Sequence, residues 1–188
     1  MTSPRIAVIG GSVRSTRIGH HLVDWTAARL RAREPWRVAA VDVVDPASCG
    51  LPDDGLLQPG GGPVSAVATT LDAADAFVFV TPEYNHSTSG ALKNAIDFLF
   101  AEWNDKAAGF VSYGVDGGVR AVEHLRQVLG ELKVADVRSA VGLTFADDFE
   151  GYARFAPRDA QEAGVTGMLD ELVAWATALR TIRAPAVG

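Results

Sequence analysis

Hydrophobic positions along the chain fall into two patterns, short unbroken runs and stripes spaced three or four residues apart. Ile6 to Ile9 is a run, closed by Gly10-Gly11, as expected of a strand covered on both faces. Val38 to Val44, Ala76 to Val80, Ala108 to Ser112 and a stretch near Val134 to Val141 predict four more strands, Ala76 to Val80 being the clearest. Between them lie helical stripes: Ile18, Leu22, Trp25 and Ala28; Val67 and Leu71; Leu92, Ile96 and Leu99; Val119, Val122, Leu125, Leu129 and Leu132. Met168, Leu172, Ala176 and Leu179 mark a last helix. Strands alternating with helices require right-handed crossovers, so the pattern predicts an α/β fold with a doubly wound five-stranded parallel sheet and helices on both faces.

At 188 residues the chain is read as one domain, 1–188, with 181–188 as a flexible tail. Hydrophobic residues are 48% and charged ones 21%, enough apolar surface for a core without a metal or disulfide staple. The exception is 46–63, where nine of eighteen residues are Gly or Pro, a surface loop rather than an element. Cys49, in that loop, is the single cysteine, which fits a reducing, cytoplasmic setting and has no neighbouring base to make it a nucleophile. No apolar run approaches the ~18 residues that span a bilayer, so no membrane partner is expected. A net charge of -6 repels nucleic acid. The one basic cluster, Arg29, Arg31 and Arg33, suits the negative end of a helix dipole.

Ligands of open α/β sheets bind beyond the carboxyl ends of the strands, and three segments sit there. The first, Gly10 to Gly19, reads GGSVRSTRIG and opens into a helix. Its backbone N–H groups, the hydroxyls of Ser12, Ser15 and Thr16 and the guanidiniums of Arg14 and Arg17 suit a phosphate dianion, although Ser15 or Thr16 could equally cap the helix. It lacks the lysine of an NTPase loop, and Ser12 and Ser15 stand where a dinucleotide fingerprint needs glycines; Asp42 or Asp45 would be the ribose-binding acid of that second reading. The next segment, TPEYNHSTSGALKNAIDFL, fixes the chain at Pro82 and sets Glu83, Tyr84 and Asn85 beside it, groups against which a planar ligand can lie. Its helix carries Lys93, Asn94 and Asp97 outward and Leu92 and Ile96 inward. The last, VSYGVDGGVRAVEHLRQVLGEL, places Gly114, Gly117 and Gly118 where backbone can approach a flat heterocycle, or simply turn tightly. His20 and His21, adjacent on a helix, offer no shared face and no metal-ligand spacing, so no metal is expected.

Together, GSVRSTRIG, TPEYNHSTSGALKNAIDFL and the SYGVDGG segment that runs into VRAVEHLR resemble the NADPH-dependent FMN reductase family, with its quinone, azo-dye and chromate reductase relatives, over roughly residues 5–140. The resemblance implies a flavodoxin-like sheet of order 2-1-3-4-5. It also implies that Ser12, Arg14, Arg17, Ile18 and Gly19 surround the FMN phosphate, that Pro82, Glu83, Tyr84 and Asn85 line the isoalloxazine, and that Ser112, Gly114 and Gly117 form the opposing wall. Where relatives often carry Gly, Ser and Asn, this chain has Thr16, Arg17 and Gly19. The activity implied is hydride transfer from NADPH or NADH to FMN and electron transfer to a quinone, flavin, azo compound or metal oxyanion, with no catalytic side chain assigned. A homodimer or homotetramer is implied, with Lys93, Asn94, Asp97, Phe98 and Trp103 near its interface.

Two rival readings follow from the same residues. A non-enzymatic flavin carrier or redox-responsive module would need a docking surface, and Asp147, Asp148 and Glu150 are the only short acidic run, read more simply as a solvated loop. A directly dinucleotide-binding dehydrogenase is the other. Phe149, Tyr152 and Phe155 are read as covering the flavin, meeting a partner subunit or packing in the core.

Overall fold

In the computed structural model, which describes residues 3–34, 38–46 and 66–183, the apolar runs become the strands of one parallel sheet. The strands are β1 (Arg5–Gly10), β2 (Ala40–Val44), β3 (Ala76–Pro82), β4 (Ala107–Gly114) and β5 (Ala135–Thr144), in the order β2-β1-β3-β4-β5. This is the flavodoxin-like order expected. The helices are α1 (Gly19–Arg31), α2 (Ala66–Ala73), α3 (Gly90–Asp97), α4 (Val119–Glu131) and α5 (Asp159–Arg183). Most of the 46–63 loop, with Cys49, lies outside the described residues.

The inner strands β1, β3 and β4 are almost wholly apolar because both their faces are covered, while the outer strands β2 and β5 also carry charged residues such as Asp42 and Arg138. Ile6, Val8, Val78 and Val80 point into a core shared with α1 and α5. Ala7, Ile9, Phe77 and Phe79 point the other way, into a core shared with α2, α3 and α4. Side chains alternate along a strand, so one unbroken run supplies both cores. Every residue of β3 and of β4 is buried, as befits the inner strands of the sheet, whose winding reverses between β1 and β3.

Several expectations change in detail. Ala28 is exposed, and α1 buries the expected Leu22 and Trp25 together with Val23, Thr26, Ala27 and Leu30; Val119 likewise stands outside its helix's buried face. Leu99 follows α3 rather than belonging to it, and β5 runs ten residues, longer than the stretch expected. The helix α5 continues to Arg183, so 181–183 is helical, while 184–188 lies outside the described residues. Arg29 and Arg33 do more than complement a dipole. The Arg29 guanidinium makes two bonds to Glu162 at 2.5 and 2.6 Å, and Arg33 Nη1 donates to Asp170 at 2.5 Å, clamping α1 to α5.

The acidic run is not a free surface. Asp148 is fully buried, accepting from Thr144 N at 3.0 Å and from Arg158 Nε and Nη2 at 3.0 and 3.2 Å. Proximity in sequence to Asp147 and Glu150 concealed this, because its cationic partner arrives only after a hairpin, β6 (Phe149–Glu150) and β7 (Arg154–Phe155). Phe149 is buried and Phe155 packs beside it, their ring centroids 5.4 Å apart, and this anchors the hairpin on the core.

Trp103 and Phe98, expected near an interface, are interior: Trp103 is 1% exposed, stacks edge-on against Phe77 at 4.9 Å and donates from Nε1 to Ile96 O at 3.0 Å. Replacing it by alanine leaves an aromatic-sized hole, and Trp103→Ala should lose about 3–5 kcal/mol in urea unfolding. Lys106 is buried too, its Nζ donating to Leu71 O and Asp72 O at 2.7 and 2.8 Å and so closing the end of α2. Burial pulls its pKa down to about 8, against the opposing pull of Asp72. The unfolded chain, with an ordinary lysine, therefore binds more protons between about pH 8 and 10.5, and stability rises with pH across that window. Relative to Lys106→Met, the wild type should gain up to about 1.4 kcal/mol per pH unit there, measured by urea unfolding at several pH values.

Candidate functional site

Parallel registry brings the ends of β1, β3 and β4 to one edge: Gly10 pairs with Val80, and Pro82 with Tyr113. The turn leaving β1 is held against β3, Gly11 N donating to Val80 O at 2.7 Å and Ser89 Oγ donating to Gly11 O. A Cβ at Gly11 would lie 3.0 Å from Thr81 Cα and Val80 O, so only glycine permits this approach. Ser89 also caps α3, accepting from Leu92 N at 3.1 Å, and so ties the first turn to the helix that follows the second.

A cavity of about 330 Å³ opens where the three turns meet. Ser12, Arg14, Thr16, Arg17 and Ile18 form one end, Pro82, Glu83 and Tyr84 one wall, and Tyr113, Gly114 and Val115 the other, with Phe145 and Tyr152 beyond. Among the described residues, the N–H groups of Val13 to Thr16 donate to no protein acceptor, and Arg14 and Thr16 of this turn line the cavity. The Arg14 guanidinium stacks over the Tyr84 ring at 5.1 Å, and Tyr84 Oη lies 3.1 Å from Ser12 Oγ. Arg17 is drawn aside by Asp45, its Nη2 donating at 2.6 Å. Glu83 is neutralised from behind by Arg120, whose Nε donates at 2.6 Å and whose own charge is shared with Asp116. The open end is therefore positive and the carboxylate of the wall is already paired.

The remaining expected residues shape the turns instead of lining the cavity. Asn85 and His86 have φ of +50° and +67°, the two central positions of a turn closed by Tyr84 N to Ser87 O at 2.8 Å and Ser87 N to Tyr84 O at 3.0 Å. Asn and His are among the few side chains that accept this conformation, which explains the NH that follows PEY. Ser112 Oγ donates to Gly117 O at 2.7 Å, and Gly117 and Gly118 have φ of +75° and +74°. A Cβ at Gly118 would fall 2.8 Å from Ser112 Cβ, so this turn is fixed by backbone shape and space together. Gly19 borders a smaller recess of about 210 Å³ that shares Ser12 and Arg17 with the main cavity.

Thr16, whose hydroxyl was expected near a phosphate, and Tyr152, one of whose readings was to cover the flavin, line the cavity, and so do Tyr113, Val115 and Phe145, which were not expected there. Tyr113 was legible: it lies between Ser112 and Gly114 and alternation along β4 turns it to the opposite face. Tyr152 is set apart from its aromatic neighbours by a turn with φ of +59° at Gly151 and +60° at Tyr152, which leaves it 72% exposed at the cavity mouth while Phe149 and Phe155 pack inward. His20 and His21 do meet, their rings 3.9 Å apart at the start of α1, where His20 Nδ1 is 2.9 Å from Arg17 O; among the described residues no group of three or more His, Cys, Asp or Glu side chains could hold a metal ion.

The sequence profile of the NADPH-dependent FMN reductase family matches residues 4–148. An NAD(P)H-dependent FMN reductase of Schizosaccharomyces pombe is 36% identical over 151 residues, covering 78% of this chain and 76% of that protein. A quinone reductase of Escherichia coli is 45% identical over 87 residues, 42% of this chain and 46% of that one. The solved NADH:FMN oxidoreductase EMOB, in its apo form, shares the fold at a TM-score of 0.72 and 22% identity, over 92% of this chain and 89% of that one. With three converging turns, a 2-1-3-4-5 sheet and a profile match that spans both, the chain belongs to the NADPH-dependent FMN reductase family.

Proposed function

We propose that residues 1–188 act as a single FMN-binding domain, an FMN-dependent NAD(P)H oxidoreductase that reduces a small-molecule acceptor of the quinone class. The observation that carries this reading is the cavity itself, with free N–H donors and two guanidiniums at one end and flat walls at the other. That donor set fits a phosphorylated planar ring: a dianion at the N-terminus of α1, next to Ser12, Arg14 and Arg17, and a ring between Pro82–Tyr84 and Gly114. Bound FMN supplies the redox chemistry, taking reducing equivalents from NAD(P)H and releasing them to the acceptor. The chain's part is to orient and to exclude water. Glu83, paired with Arg120, holds the wall segment in place, and Glu83 N donates to Tyr113 O at 3.2 Å to join the two walls. Asn85, Ser112 and Gly117 act by fixing the turns that carry the contacts.

The rival readings lose their footing in the same geometry. A carrier needs an acidic docking face, but Asp148 is buried against Arg158, Glu150 is paired with Arg154, and Asp147 is bonded to Thr144. A dinucleotide dehydrogenase needs a free ribose-binding acid, but Asp42 is paired with Arg5 at 3.0 Å and Asp45 with Arg17. Among the described residues no helix is long and apolar enough to cross a membrane, and the single cysteine supports a cytoplasmic location.

The reading includes a homodimer built on α3, whose outer face carries Lys93 and Asn94 and which leads to Phe100, 40% exposed. Trp103 and Phe98 are not part of this face. Sedimentation equilibrium at micromolar concentration should give a mass near twice 19.8 kDa, and a 19.8 kDa species alone would remove the dimer.

The activity is tested with purified protein loaded with FMN. Anaerobic NADPH or NADH should bleach the flavin absorption and a quinone should restore it, with steady turnover and no auxiliary reductase. A flavin that stays oxidised under saturating nicotinamide would overturn the proposal.

A further inference from the structure

Tyr113 is placed where packing alone does not explain its hydroxyl. It is 4% exposed, and its ring meets Phe145 edge-on at 6.4 Å, a contact phenylalanine would make equally well. Burying a hydroxyl costs free energy unless it finds a partner. From the end of β4 this hydroxyl reaches past β3 to the first residue of α1: a Cβ on Gly19 would lie 2.5 Å from Tyr113 Oη and 3.3 Å from Cζ. Gly19 does not have positive φ, so its backbone would accept other residues. What a side chain there would meet is the phenol, which would have to shift to make room.

The same spot gathers the polar end of the cavity. Burial raises the phenol's pKa to about 12, with a hydrogen bond to the Ser12 side chain and the charges of Arg14 and Arg17 acting the opposite way, so these three groups lie close to it, Ser12 is its partner within the protein, and it keeps its proton at any physiological pH. A neutral hydroxyl beside two cations and the free N–H groups of a helix start can only be a donor toward an anion.

We infer that Tyr113 is a binding residue for the phosphate of FMN, its hydroxyl donating to that phosphate from beneath the β1 turn, and that Gly19 is there to admit it. This rests on the FMN reading of the site. The two residues thus form a matched pair, one large and one absent side chain, contributed by β4 and by the start of α1.

The test titrates the full chain, freed of flavin, with FMN and separately with riboflavin, which lacks the phosphate, following flavin fluorescence. Tyr113→Phe should weaken FMN binding about tenfold or more, the worth of a hydrogen bond to a charged group, and leave riboflavin within about twofold. Gly19→Ala should weaken FMN binding similarly in the wild type but by less than about twofold on top of Tyr113→Phe, because the clashing hydroxyl is already gone. An unchanged thermal midpoint for Tyr113→Phe separates lost contact from lost fold, and the rate of FMN release from the loaded variant gives an independent measure. Equal losses for FMN and riboflavin, unchanged FMN affinity in Tyr113→Phe, or additive effects of the two substitutions would each overturn the inference. A wild type that binds no FMN would instead overturn the proposed function.

Discussion

The close crossing of the β1 turn over the end of β3 is the constraint from which the site follows. Gly11 lies where any side chain would strike β3, and its N–H and C=O are taken by Val80 and Ser89. Because Ser89 is simultaneously the cap of α3, the phosphate-type turn and the PEYN turn are set relative to each other by one hydroxyl. A buried bond of this kind, with both partners removed from water, is costly to leave unmade and so fixes geometry more than it adds stability.

Charge is arranged around this crossing so that the cavity stays receptive to an anion. Although the chain is acidic overall, Glu83 in the cavity wall is engaged by Arg120, and Asp45 in the adjoining recess by Arg17. Arg14 keeps its charge toward the opening by lying flat on Tyr84. Low exposure on the Glu83 side strengthens that pairing, whereas pairs on the outer surface, such as Lys93 with Asp97, contribute little.

The segment after β5 runs out of the family match at residue 148 and still contributes Tyr152 to the cavity lining. Its hairpin is anchored by Phe149, Phe155 and the buried Asp148, and a turn of two left-handed residues lifts Tyr152 to the cavity mouth. Then α5 runs back along the sheet to Arg183, whose guanidinium bonds Asp75 at the start of β3. One helix thereby covers β5, β4 and β3 on the face that α1 shares.

Periodicity decided that the sheet is parallel and covered by helices, because a run such as Ile6–Ile9 or Ala76–Val80 is stable when covered on both sides; its strand order was implied only by the family resemblance. The three chemical segments were legible as well, since glycines, hydroxyls and arginines have narrow uses at strand ends. Partners distant in the chain were decided only by the fold. Nothing in the local sequence marks Asp148 as buried, Trp103 as core, or Arg29 as the mate of Glu162, because each depends on a residue brought near by a crossover or a hairpin. Tyr113 and Gly19 make the same point at the site. Alternation says which way a side chain on β4 faces, but only packing α1 against the sheet determines that its hydroxyl ends against Gly19.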